Sequence, residues 1–101
     1  MKTLLITAAL AIAPMSALAA GDAAAGQGKS LVCASCHGQD GKSMIPTYPN
    51  LAGQNAAYLE MALKGYRSQE RTGLQAALMY GMAANLSDQD IADLAAYYSS
   101  K

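Results

Sequence analysis

Apolar residues recur along this chain at helical rather than strand spacing. In the stretch opened by Asn55, Leu59, Ala62, Leu63 and Tyr66 fall at i, i+3, i+4 and i+7, and Asn55 is placed to cap the first turn. Nearer the C-terminus Ser87 stands as an N-cap, Asp88 and Asp90 suit the positive end of a helix dipole, and Ile91, Leu94, Ala95 and Tyr98 form one apolar stripe. Asp22 predicts the cap of an earlier helix, on which Ala24, Gly28, Leu31 and Val32 share a face and which runs on to Cys33. A shorter helix is expected over 74–80, closed by Gly81 in the left-handed conformation. Strands are not expected, because beyond residue 20 the β-branched residues are Val32, Ile45, Thr47, Thr72 and Ile91 alone. The pattern predicts an all-α domain of about four short helices. Between the first two lies the segment 38–54, whose Gly38, Gly41, Pro46, Pro49 and Gly53 make it too turn-rich for a helix. An irregular stretch of that length in a small domain is more often functional than idle, so it is expected to wrap around something.

The first residues are patterned differently. Met1-Lys2 precedes an uncharged run to Gly21 in which Leu4, Leu5, Ile6, Leu10 and Ile12 are the apolar core, Pro14 breaks the run, and Ala17-Leu18-Ala19 has A-x-A spacing. This reads as a signal peptide over residues 1–19, cleaved after Ala19, followed by an exported domain over 20–101 with the periplasm as its expected destination. An uncleaved anchor is the competing reading, but it wants about 20 strongly apolar residues, and the alanines and Pro14 weigh against it. What remains, about 80 residues, is one small domain whose own side chains bury only a marginal core. The whole sequence has a net charge of +0, and without Lys2 the balance is faintly acidic. No basic stripe follows a phosphate backbone, so nucleic acid is not an expected partner.

Within this sparse chemistry, both cysteines and the one histidine fall together in "LVCASCH", as Cys33, Cys36 and His37. A structural zinc site would use all three but wants a fourth N or S ligand that the chain lacks, leaving Asp40 to improvise. A thioredoxin-like pair expects a βαβ unit, and a plain disulfide staple leaves His37 unexplained. Covalent haem attachment accounts for all three residues: two thiols add to the two vinyl groups, and the following imidazole lies under the iron as an axial ligand. A large apolar cofactor also supplies the core that a chain this short lacks. The "GKS" at Gly28–Ser30 is not a phosphate loop, since the glycine required five residues earlier is Ala23 and no strand precedes it. With His37 the only histidine, the second axial position falls to methionine, lysine, a weak ligand or none. Met44 follows the motif too closely and Met61 lies off its helix's apolar face, which leaves Met79 and Met82.

The segments "GQGKSLVCASCHGQDG", "YPNLAGQNAAYLEMAL" and "MYGMAANLSDQDIADLAAYY" resemble, in order and spacing, the small class I bacterial cytochromes c, and equally one half of the related two-haem periplasmic cytochromes. The resemblance covers residue 21 to the C-terminus. It implies the small cytochrome c fold, with one haem c attached through Cys33 and Cys36, held edge-on, and with the first and last helices crossed. It implies that the Pro49 carbonyl accepts a hydrogen bond from His37 Nδ1–H, that Leu51 packs on the haem face, and that Gly28 or Gly26 admits the Tyr97–Tyr98 end of the last helix. The family's axial methionine has the spacing of Met79 from Ser87, so iron ligation by His37 and Met79 is expected, helped by a bend at Gly81 that turns the chain away from the haem. The chain departs from the pattern in having no Phe or Trp, so tyrosines must supply the aromatic packing, and in having a single haem motif.

The expected function is that of a soluble periplasmic electron carrier rather than an enzyme, because iron closed by His and Met can only change oxidation state. Its expected partners are redox proteins bound transiently, with the membrane met only through membrane-bound redox complexes, and the carrier itself is expected to be a monomer. Two alternatives stand beside it: an electron-entry subunit of a larger oxidoreductase, and a haem sensor or enzyme with an open sixth site.

Overall fold

Ser87 starts the helix around which the others assemble. Its hydroxyl accepts from Asp90 N–H at 3.0 Å while the Asp90 carboxylate accepts from Ser87 N–H at 2.9 Å, a reciprocal capping box. In the computed structural model, which describes Thr3, Leu4 and residues 20–101, the elements are α1 (Ala23–Lys29), α2 (Leu31–His37), α3 (Ala56–Arg67), α4 (Ala76–Ala83) and α5 (Asp88–Ser99). No strand forms among the described residues, and no helix there is long and apolar enough to cross a membrane. The signal segment expected over 1–19 falls, Thr3 and Leu4 apart, outside the described residues.

The expected first helix is divided. Ser30 donates both its N–H, at 3.2 Å, and its hydroxyl, at 2.7 Å, to the Gln27 carbonyl, which tightens the turn and sends the chain into α2 at a new angle. The face predicted for it is also corrected: Ala24 and Gly28 are exposed, and Leu31 and Val32 are 76% and 60% exposed. The buried side of α1 is instead Gly26 and Ser30, four residues apart. A Cβ at Gly26 would lie 2.0 Å from the Asp93 carbonyl oxygen, whereas one at Gly28 would meet nothing, so Gly26 is the glycine that lets α1 touch α5. Gly21 has the same relation to Ala92, at 2.0 Å.

α5 is buried along most of its length, from Ile91 to Tyr98, with α1 and α3 packed against it and α4 against α3. Leu59 of α3 joins Leu94, Ala95, Tyr97 and Tyr98 in the core, with Cys33, Leu51, Leu63 and Leu86 partly buried around them. Asn55 caps α3 by accepting from Tyr58 N–H at 3.1 Å, as its position predicts. Asp93 is buried and satisfied: it accepts from Asp22 N–H (2.8 Å), Gln89 Nε2 (2.9 Å) and the Lys29 ammonium (2.6 Å), which also pairs with Asp90. Arg67 ties the end of α3 to the start of α5 through the Leu86 carbonyl (3.0 Å) and Asp88 (2.6 Å). The expectation for Gly81 is overturned: α4 runs on to Ala83, and Gly81 sits inside it at ordinary helical geometry. Ala83 is fully buried, and that burial draws the helix past the glycine.

Candidate functional site

α2 carries Cys33, Cys36 and His37 at i, i+3 and i+4, so all three side chains leave one side of the helix. The helix stops at once after His37, because Gly38 takes φ 83° and a Cβ there would lie 1.9 Å from the Lys42 carbonyl oxygen. That reversal sends the segment 38–54 back across the histidine. His37 is buried, at 7% exposure, and its Nδ1 lies 2.8 Å from the Pro49 carbonyl oxygen. A carbonyl only accepts, so Nδ1 carries the proton and Nε2 is left as the ring's lone-pair nitrogen.

Two further joints hold the returning segment. The Gly41 carbonyl accepts from Leu51 N–H (2.7 Å) and Ala52 N–H (3.0 Å), and Gly41 has φ 75° with the Tyr98 ring against it. Gly53 N–H donates to the Tyr98 carbonyl at 2.9 Å, which fastens the segment to α5. Leu51 is thereby held, half-buried, beside the core.

Cys33 is half-buried and Cys36 exposed, both as free thiols. Burial pushes the Cys33 thiol up, and burial with the nearby Cys33 pushes the Tyr98 phenol far above its usual range. The Tyr98 hydroxyl is buried with no hydrogen-bond partner among the described residues. Among those residues, no three of His, Cys, Asp and Glu converge as ligands for a single ion. The donors suit an extended group: two thiols for its rim and an imidazole lone pair for its centre. Met79 on α4 is half-buried, whereas Met44, Met61 and Met82 are 94%, 62% and 53% exposed. Cys33, Cys36, His37, Pro49 and Leu51 are thus brought together by α2 and the returning segment, while Met79 arrives on a separate helix.

Ser43 and Asn50, which tie the two limbs of the segment together, were not among the residues picked out from sequence. Nothing in the spacing distinguishes these polar loop residues, and only the folded path sets them side by side.

The family model described as cytochrome c matches residues 19–100. The chain is 60% identical over 82 residues to cytochrome c-554(548) of Halomonas halodenitrificans, covering 81% of this chain and 99% of that protein. Its fold is similar to that of reduced cytochrome c4 from Pseudomonas stutzeri, with a TM-score of 0.74 and 48% identity, covering 81% of this chain and 46% of that one. It is also similar to a part of thiosulfate dehydrogenase (TsdBA) from Marichromatium purpuratum, with a TM-score of 0.73 and 33% identity, covering 89% of this chain and 22% of that one. The chain therefore spans less than half the length of either solved structure.

Proposed function

The chain belongs to the cytochrome c family, and from that premise we propose that it is a soluble periplasmic carrier of single electrons whose iron would be held by His37 and Met79. It is an electron carrier, not an enzyme, with one haem c expected on Cys33 and Cys36. When bound, the haem supplies a one-electron iron couple within a delocalised ring. The chain's own residues do the rest. Cys33 and Cys36 would hold the haem, each thiol supplying the sulfur of a thioether link to one of its two vinyl groups. His37 presents Nε2 as a lone-pair donor, and the Pro49 carbonyl holds the ring in that tautomer and strengthens its donation. Met79, half-buried on α4, would offer a thioether as the second donor to the iron, a ligand that favours the reduced state. Leu51 and the core of α3 and α5 keep water away.

The observation that carries this reading is the His37–Pro49 contact on the helix that bears both thiols: it leaves one imidazole nitrogen free for the iron and fixes its direction. The half-buried setting of Met79 supports its assignment over Met82, although the bend at Gly81 no longer does. The A-x-A at Ala17–Ala19 supports export, with a mature chain starting at Ala20 over a domain of 20–101. The domain is proposed to act as a monomer that meets redox proteins transiently. The likeness to part of thiosulfate dehydrogenase favours one second reading, an electron-entry subunit of a larger oxidoreductase. Absorption spectra of the purified protein in both oxidation states, with acid extraction of the pigment, test the reading. Haem that stays with the polypeptide and a weak near-infrared band in the oxidised form are expected. Extractable haem, or ready carbon monoxide binding without that band, overturns it.

A further inference from the structure

The contact between His37 and Pro49 is spanned by a second set of bonds that shares none of its atoms. Ser43 N–H donates to the Asn50 side-chain oxygen at 2.7 Å, and Asn50 is the residue after Pro49. The Ser43 hydroxyl lies 3.1 Å from the carbonyl oxygen of Cys36, the residue before His37. The same hydroxyl lies 2.8 Å from the Ile45 carbonyl and accepts from Ile45 N–H at 3.0 Å. A serine hydroxyl has one proton, so the Cys36 and Ile45 carbonyls share it, while its lone pairs remain open to the Ile45 N–H. Ser43 thus links the neighbour of the imidazole to the neighbour of the carbonyl.

We propose that Ser43 and Asn50 are positioning residues for the axial histidine, a bracket that sets the length and angle of the His37–Pro49 hydrogen bond and through it the reduction potential. This rests on the carrier reading above. The Pro49 carbonyl lies in the 49–50 peptide, so its orientation depends on how Asn50 and the residues after it are held. On the far side Leu51 and Ala52 are held by Gly41, and on the near side Asn50 is held by Ser43. Without the near hold, the 49–50 peptide is free to rotate and the carbonyl swings off Nδ1–H. A weaker bond there makes the imidazole a poorer donor to oxidised iron, so the potential rises.

The test uses the haem-loaded full-length protein and three variants: Asn50→Ala, Ser43→Ala and Ser43→Thr. Two quantities are read, the solvent exchange rate of the His37 Nδ1 proton by NMR in the reduced form, and the reduction potential. Asn50→Ala is expected to speed exchange by about tenfold and to favour reduced iron by about threefold, ~30 mV at 59 mV per tenfold for one electron. Ser43→Ala should move both in the same direction, and Ser43→Thr, which keeps the hydroxyl, should restore wild-type values. Asn50 is exposed, so Asn50→Ala keeps the test decisive if Ser43→Ala does not fold. A lower unfolding midpoint with both quantities unmoved makes the bracket merely structural and overturns the proposal. Wild-type protein without covalent haem overturns the carrier reading, and this one with it; haem-bearing wild type with unmoved variants overturns this one alone.

Discussion

At the crossing of α1 and α5 two backbones touch through Gly21 and Gly26, and the polar groups at the seam converge on the single carboxylate of Asp93. The segment 38–54 crosses no helix in this way: its shape rests largely on separate hydrogen bonds, from Leu51 and Ala52 N–H to the Gly41 carbonyl, from Ser43 N–H to Asn50, and from Gly53 N–H to the Tyr98 carbonyl. The crossing is a packing interface, where cost rises steeply with any added atom. The segment is a set of joints, each worth only about 1 kcal/mol net, which positions groups more than it stabilises the fold. Substitutions at the crossing should therefore be read in stability, and substitutions in the segment or on α4 in the properties of the iron.

The largest effect is expected at the crossing. Gly26→Ala places a methyl inside the Asp93 carbonyl, and because the obstacle is backbone rather than a movable side chain, the cost should be about 3 kcal/mol or more. For a domain of about 80 residues that is most of its stability, so little folded haem protein should be recovered. Next comes Leu94→Ala, which empties a side chain only 1% exposed and should cost about 3 kcal/mol in chemical denaturation. If Gly26→Ala proves no worse than Leu94→Ala, the seam is softer than its contact distances require.

On α4 the effect should appear in the iron instead. Met79→Ala should abolish the near-infrared band of the oxidised form and lower the potential by on the order of 100 mV, a modest part of the ~0.8 V that axial ligands set. Met82→Ala should leave both in place. The reverse result transfers the ligand to Met82.

How much of this was legible in the sequence follows the same division. The α3 and α5 caps and stripes were readable from Asn55, Ser87, Leu59, Ile91 and Leu94, because burial on one helix face repeats with the helix period. The α1 face was misread because its buried side is made of a glycine and a serine, which carry no hydrophobic signal. Leu31 and Val32 carry that signal strongly, yet both are exposed. Gly81 was misread because the pull on α4 comes from the burial of Ala83, a tertiary effect that a local turn rule does not contain. The placing of Cys33, Cys36 and His37 on one side of a helix was legible because i, i+3 and i+4 spacing is local to one helical turn. Ser43 and Asn50 were not, since a bracket between two limbs of an irregular segment has no period.

The Asp93 cluster gives the crossing a pH dependence of its own. Lys29 first, then the Asp22 N–H and Gln89, hold the Asp93 carboxyl down at about 2, against about 3.9 in an unfolded chain. A depressed carboxylate stabilises the fold above the unfolded value and loses that contribution as pH falls, so thermal midpoints should drop between about pH 4 and pH 2. Lys29 is raised by the same pairing, so its share is present below about pH 10.4 and lost above it. Asp93→Asn should lower the midpoint near neutrality and flatten the acid limb; an unchanged acid limb would assign the pH dependence to other carboxylates.

The smallest expected effect has the opposite sign. Gly28 lies two residues from Gly26 on the same helix, yet a Cβ there meets nothing within 4 Å, and its φ is not in the left-handed region. Alanine at such a position gains helix propensity and removes freedom from the unfolded chain without adding a clash, worth about 0.5 to 1 kcal/mol. For a domain of this size that is a rise of about 4 °C in the thermal midpoint, with no change in potential or spectrum. The pair Gly26→Ala and Gly28→Ala thus makes the same chemical change on nearly opposite faces of one short helix and should move stability in opposite directions. A loss of stability in Gly28→Ala would mean that α1 meets α5 through the face first expected from the positions of Ala24, Leu31 and Val32, and the seam at Gly26 would have to be abandoned.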